Sequence, residues 1–245
     1  MKLGFIGAGN MAGAIARGLV KSGTLQGDKL NIFDINTELA GVLARDTGAF
    51  VCGDLETLIE ASDIVLFAVK PNVLSGVLEN SKDSLLKKKP LVISIAAGKT
   101  LEFIENRIGG EIPVARVMPN INAAALAATS CFCANKKATA SHKEWVVKIF
   151  GALGQITEID EKLFSAFGVI AGCSPAYAYL YIDALARAAQ SVGLPRDIAL
   201  KASAQTVLGS AKMILESNEH PHSLIDRVCS PGGTTIEGIL SLKAD

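Results

Sequence analysis

The chain has 245 residues, 24 basic against 24 acidic side chains, and 49% hydrophobic residues. That is enough apolar material for one large packed domain or two modest ones, and it excludes intrinsic disorder. Zero formal charge without a long single-sign block also excludes a nucleic-acid-binding surface and a charged tail.

The clean apolar runs Ile64–Val69 and Leu91–Ile95 are far shorter than the roughly 20 residues that span a bilayer, so no membrane segment is expected. Met1–Gly7 runs into a glycine-rich turn after a few residues, and reads as a strand rather than a signal peptide. The five cysteines, Cys52, Cys131, Cys133, Cys173 and Cys229, have no metal-site spacing and read as free thiols in a reducing cytoplasm. Three histidines offer little for metal chemistry, so no metal is expected. His220 and His222 flank Pro221 in what reads as a solvated turn.

In chain order, the predicted strands are Lys2–Ile6, Lys29–Phe33, Phe50–Cys52, Ile64–Val69, Leu91–Ile95, Val114–Val117, Thr129–Ala134 and Gln155–Glu158. Helical patterns fall near Met11–Ser22, Thr37–Thr47, Asn72–Leu86, Thr100–Ile108 and His142–Gly151. Several strands are continuous Ile/Val/Leu runs, as expected of a parallel sheet covered on both faces. Strand–helix alternation of this kind predicts an α/β, doubly wound sheet. After about Asp160 only helical patterns remain, which divides the chain into residues 1–158 and a smaller all-α part, 159–245. Ser174-Pro175 reads as a helix start, Gly193-Leu194-Pro195 as a break, and Pro231-Gly232-Gly233 as the start of a last helix. These Ala- and Leu-rich helices cannot bury their faces alone and are expected to pack on a partner subunit as well as the sheet.

The strongest motif is Gly7-Ala8-Gly9-Asn10-Met11-Ala12, between the first strand and the first helix. Gly7 permits the tight turn, Gly9 lets the backbone approach a pyrophosphate, and Ala12 allows close helix–strand packing. The helix N-terminus adds free N–H groups and a positive dipole. Asp34 ends the second strand about 20 residues further on, where an acidic side chain accepts a ribose 2′-hydroxyl and repels a 2′-phosphate. The cofactor is therefore NADH or NADPH, with Asp34 leaning to NADH; the alternative role for Asp34 is capping the helix near Thr37. Ala68-Val69-Lys70-Pro71, Ala96-Ala97-Gly98 and Val117-Met118-Pro119-Asn120 stand at strand C-terminal ends, where ligands of open α/β sheets bind. Cofactor-binding candidates there are Ala68, Val69, Lys70, Pro71, Ala97 and Asn120.

The second motif is Ser230-Pro231-Gly232-Gly233-Thr234-Thr235-Ile236-Glu237. Thr234 and Glu237 fit a capping box. The paired glycines feeding a helix N-terminus also make a nest of backbone N–H groups suited to a carboxylate or phosphate. With Thr234 as cap, the Thr235 hydroxyl is left to meet a ligand.

Together these residues resemble the pyrroline-5-carboxylate reductase family. The likeness runs through Phe5–Met11, Ala68–Pro71, Ser94–Gly98, Arg116–Asn120, Pro175–Tyr177, Gly193–Pro195 and Ser230–Thr235. It implies a Rossmann domain, then a helical domain that forms a homodimer and often a larger ring of dimers. It also implies a small-molecule substrate, pyrroline-5-carboxylate, reduced to proline in the cytoplasm by hydride transfer to the imine carbon. In the family's manner Ser230, Gly232, Gly233, Thr234 and Thr235 would hold the substrate, with Thr235 hydrogen-bonding its ring nitrogen, and Glu158–Glu161 would lie near it. Three features depart from the family: Gly172-Cys173-Ser174 replaces Gly-Ser-Gly, Ile121-Asn122-Ala123 lacks the usual Thr-Pro, and the chain stops at Asp245, about a helix early. The rival readings are another two-domain imine or β-hydroxyacid reductase, with Lys201 or Lys212 as its catalytic lysine, and a non-catalytic dinucleotide-binding regulator.

Overall fold

The apolar runs of the first two-thirds become the strands of one sheet buried on both faces. The computed structural model describes residues 1–243; Ala244 and Asp245, on which the expected end of the helical part and the early stop fall, lie outside them. The strands are β1 (Leu3–Ile6), β2 (Leu30–Phe33), β3 (Phe50–Val51), β4 (Ile64–Phe67), β5 (Leu91–Ser94), β6 (Val114–Met118), β7 (Ala128–Ala134) and β8 (Gly154–Glu158). They lie in the order β3-β2-β1-β4-β5-β6-β7-β8. Side chains alternate between two cores. Leu3, Phe5, Leu66 and Ile93 join one with Ile15 and Leu19, while Ile6, Val65, Phe67 and Val92 join the other with Leu58 and Leu78. A strand with a core on each face has no polar side to show, which is why these segments read as continuous rather than alternating.

One pairing departs from the parallel sheet expected. β7 runs antiparallel to β6, with Arg116 opposite Cys133 and Met118 opposite Cys131. The link between them, residues 119–127, is shorter than the dozen or so residues a parallel crossover needs, and its 3-10 turn at Ile121–Ala125 simply reverses the chain. β8 is again parallel to β7.

The helices of this part are α1 (Asn10–Lys21), α2 (Thr37–Thr47), α3 (Leu55–Glu60), α4 (Leu74–Lys88), α5 (Leu101–Ile108), α6 (Ala140–Gly151) and α7 (Phe164–Gly168). Helix α3, which the sequence pattern does not reveal, is too short to show a period, yet Asp54 caps it and Leu58 and Ile59 bury against the sheet. Side chains also cap α2 (Asn36), α5 (Thr100) and α6 (Thr139). In contrast, α1 begins at Gly9 with no side-chain cap and no acidic residue in its first turn. Its buried Ala12, Gly13, Ala14 and Ala16 let it lie close on the sheet.

The chain forms two compact units, Met1–Pro175 and Ala176–Asp245. Residues 159–175, which the sequence reading groups with the helical part, follow the last strand back onto the sheet. Phe164 packs in a small core with Cys131 and Cys133. Ser174-Pro175 is not a helix start. Ser174 is itself helical and continues from a π-helical turn at Val169–Cys173 into α8 (Ser174–Ser191). Pro175 has no N–H and its ring crowds the carbonyl one turn back, and a widened turn accommodates both.

The second unit adds α9 (Arg196–Ser217), α10 (Pro221–Val228) and α11 (Thr234–Leu242). The expected solvated turn at His220 is instead the N-cap of α10, where the His220 ring accepts the His222 N–H at 3.2 Å. Among the described residues, the only buried side chains of these helices are Ala186, Ala199 and Ser203. Large apolar side chains, among them Tyr177, Leu180, Leu208 and Leu215, stand exposed in the single chain. By length and composition alone Glu161–Ser191 is also apolar enough to cross a membrane, with a mean hydropathy of 1.4. Its apolar residues are broken up by Gly, Ser and Asp rather than continuous, and the same composition suits a helix that packs on another subunit.

Candidate active site

Four strands of the first unit deliver their C-terminal ends to one cavity of about 640 Å³, within the range of small-molecule sites. Gly9, Asn10 and Met11 follow β1, Ala68–Pro71 follow β4, Ile95–Gly98 follow β5, and Met118 and Pro119 close β6. The strand order reverses direction between β1 and β4, the switch point at which open α/β sheets hold ligands.

The glycine-rich turn is shaped by contacts that explain its composition. Gly7 has φ +106°, and a Cβ there would sit 2.7 Å from the Ala68 carbonyl oxygen. Only glycine adopts that backbone beside that neighbour. At Gly9 a Cβ would meet nothing within 4 Å, so the space beside this backbone belongs to the cavity. Open space over Gly9 and an uncapped α1 N-terminus fit a dinucleotide pyrophosphate.

Asp34 does not cap α2; Asn36 does, accepting the Glu38 and Leu39 N–H groups. The Asp34 carboxylate reaches back to the turn. Its Oδ2 accepts the Ala8 N–H at 2.6 Å and its Oδ1 accepts the Asn36 N–H at 2.8 Å. Each carboxylate oxygen keeps a lone pair for a further donor such as a ribose hydroxyl.

Of the expected cofactor residues, Gly9, Asn10, Met11, Ala68, Val69, Lys70, Pro71 and Ala97 line the cavity. Gly7, Ala8 and Ala12 are buried behind it, and Asp34 braces the turn. Asn120 is buried, and its Oδ1 accepts the Thr129 N–H at 3.2 Å, so its side chain anchors the start of β7.

The opposite wall consists of Arg116, Met118, Phe164, Ser165, Gly168 and Gly172, of which the sequence marks only the stretch Arg116–Asn120. Arg116 is only 8% exposed. Its Nη1 donates to Glu161 Oε1 at 2.9 Å, and its guanidinium lies 4.2 Å from the centre of the Phe164 ring. Glu161 Oε1 also accepts the Leu101 N–H at 2.8 Å. A signal existed in the sequence: one charge inside the apolar strand Val114–Met118 requires a partner of opposite sign. Behind this wall Cys133 is pushed up to about 12 by burial and then by Glu161, against the opposing effect of Arg116. Burial likewise raises Cys131 to about 11, so both thiols stay protonated and inert.

The second motif lies in the second unit. Ser230-Pro231-Gly232-Gly233 is a tight turn in which Gly232 has φ +69° and the Gly233 N–H donates to the Ser230 carbonyl at 3.0 Å. Gly233, not Thr234, is the N-cap of α11, and no side chain caps it. The expected capping box is therefore absent. Thr234 and Thr235 stand exposed on the uncapped first turn of α11. Lys201 is exposed and Lys212 faces Glu216 at 3.6 Å on the surface, neither in the setting of a catalytic lysine. Among the described residues no group of three or more His, Cys, Asp or Glu is placed to hold a metal ion.

Comparison with known proteins matches residues 161–245 to the family model described as pyrroline-5-carboxylate reductase dimerisation. Residues 2–98 match one described as NADP oxidoreductase, coenzyme F420-dependent. A pyrroline-5-carboxylate reductase of Methanosarcina acetivorans is 40% identical over 242 residues, covering 99% of this chain and 89% of the relative. The Plasmodium falciparum pyrroline carboxylate reductase, solved with NADP bound, superposes with a TM-score of 0.88 at 33% identity, over 99% of this chain and 89% of the other. A Coxiella burnetii pyrroline-5-carboxylate reductase gives 0.92 at 32% identity, over 99% and 90%.

Proposed function

The chain belongs to the pyrroline-5-carboxylate reductase family, and on that premise we propose the reaction and the residues that carry it. The enzyme is an NAD(P)H-dependent oxidoreductase that reduces 1-pyrroline-5-carboxylate to proline. The observation that carries this reading is likeness over nearly the whole chain to reductases of this substrate, together with a cavity at the switch point that suits a dinucleotide.

The bound dihydronicotinamide supplies a hydride, two electrons with a proton, to the imine carbon. The residues around it bind, orient and exclude water. The uncapped start of α1 and the Gly7–Ala12 turn hold the pyrophosphate. Asp34 accepts a ribose hydroxyl and repels a 2′-phosphate, which favours NADH over NADPH. Ala68–Pro71 and Ala97 face the nicotinamide half. The Ser230–Thr235 turn takes the substrate carboxylate on the N–H groups of Gly232 and Thr234. The Thr235 hydroxyl orients the ring nitrogen, which acquires its proton from water or arrives protonated. That proton on nitrogen and the hydride on carbon convert the C=N bond to an amine.

Residues 159–245 act as the substrate and dimerisation part, and the exposed apolar faces of α8 and α9 form a homodimer that builds further into a ring of dimers. The enzyme works in the cytoplasm. The test is oxidation of NADH and NADPH by purified protein with pyrroline-5-carboxylate, followed by absorbance. Turnover is the expected result, and tight dinucleotide binding with no turnover on this substrate would overturn the reading.

A further inference from the structure

Arg116 has no part in the reaction as described above, yet it lines the cavity, and Glu161 is its ion-pair partner. A buried ion pair is a costly way to hold two segments together, since an apolar pair of similar shape does so without desolvating charge. Here the guanidinium side chain is 10% exposed and that of Glu161 30%, so what solvent contact remains is mainly on the acid. The cation is clamped between the cavity and the Phe164 ring, which is 1% exposed. Its partner Glu161 is fixed from the other side by the Leu101 N–H at the first residue of α5.

We propose that Glu161 is a positioning residue that neutralises Arg116, so that the cavity accepts the neutral reduced ring and the cationic oxidised ring with little bias. This rests on the reading of the cavity as the dinucleotide site. A lone guanidinium in this wall would repel the oxidised ring, because the field of a partly buried charge is screened far less than in water. It would thereby oppose hydride departure, which creates that charge. A lone carboxylate would do the reverse. The guanidinium supplies the planar surface against Phe164, and the carboxylate cancels its charge.

The test compares dissociation constants of NAD⁺ and NADH, or of NADP⁺ and NADPH if these bind more tightly, for the wild-type protein and three variants. Glu161→Gln keeps an oxygen acceptor for the Leu101 N–H and removes only charge. It is expected to weaken the oxidised form several-fold more than the reduced form, and to lower kcat with little change in KM for the dinucleotide. Arg116→Met leaves the carboxylate alone and is expected to shift the ratio the opposite way. Glu161→Asp restores the charge and is expected to return the ratio to the wild-type value even where the melting temperature falls. A wild-type ratio in both Glu161→Gln and Arg116→Met, alongside lowered melting temperatures, would make the pair purely structural and overturn the proposal. If wild-type protein binds no dinucleotide, the cofactor reading fails first and takes this inference with it.

Discussion

Gly7 and Gly9 belong to one motif, yet the structure assigns them separable tasks. Gly7→Ala forces a left-handed backbone, φ +106°, on a residue with a Cβ and sets that Cβ 2.7 Å from the Ala68 oxygen. The conformation costs about 1–2 kcal/mol, and displacing the carbonyl about 1–2 more, for a total near 3 kcal/mol. In a chain of this size that lowers the melting temperature by about 6–12 °C. Gly9→Ala keeps a backbone any residue adopts, φ −70° and ψ −173°, and its Cβ meets nothing within 4 Å. The poorer N-cap and the stiffer unfolded chain offset each other to within about 0.5 kcal/mol. The added methyl instead fills the space for the pyrophosphate, so dinucleotide affinity falls roughly tenfold or more. The assay is urea unfolding followed by fluorescence of the single Trp145 on α6, which packs against the sheet core, paired with dinucleotide titration. Equal loss of stability in both variants, or unchanged affinity in Gly9→Ala, would refute the assignment.

Three further outcomes are expected. Asp34→Ser removes the charge facing a 2′-phosphate, and should raise the ratio of kcat/KM for NADPH over NADH by about tenfold; an unchanged ratio would place cofactor choice elsewhere. Thr235→Ala should lower kcat while dinucleotide affinity stays within about twofold, as measured by titration; parallel losses would remove Thr235 from the substrate. His142 Nδ1 accepts the Thr139 N–H at 3.1 Å, and burial holds its pKa below the ordinary value. The unfolded chain therefore takes up the proton first, so this contribution is complete above pH of about 6.5 and is lost as pH falls below it. Melting temperature should accordingly drop more between pH 7.5 and 5 (about the His titration range) for wild-type protein than for His142→Gln, and parallel curves would show that the contact carries no pH dependence.

The strands were legible because burial on both faces writes itself as uninterrupted apolar runs, and the glycine-rich turn because Gly7 answers a backbone constraint. What failed to show depended on distant partners. Asp54 and Leu58 are too close together to display the period of α3. The reversal at β7 follows from the shortness of residues 119–127, a length that strand patterns alone do not weigh. Pro175 looks like a helix start locally and is accommodated only by the π turn before it. His220 and Gly233 became caps where a turn and a threonine cap were expected. The wall containing Arg116 draws on β6, α7 and the π-helical turn at Val169–Cys173, and no local pattern joins residues so far apart in sequence.

Most loops that start a helix in the first unit spend a side chain on the first N–H groups, as Asn36, Asp54, Thr100 and Thr139 do. Gly9 and Gly233 do not, and each forgoes roughly a few tenths of a kcal/mol that a serine or aspartate would contribute. The missing acceptors are the ones that small anions can bring. With cofactor and substrate bound as proposed, folding stability at these two helices is tied by mass action to metabolite concentration, growing as the logarithm of ligand over its dissociation constant. A cell depleted of cofactor and substrate would hold a softer protein than one in active synthesis, with turnover by proteases rising first where the enzyme is idle.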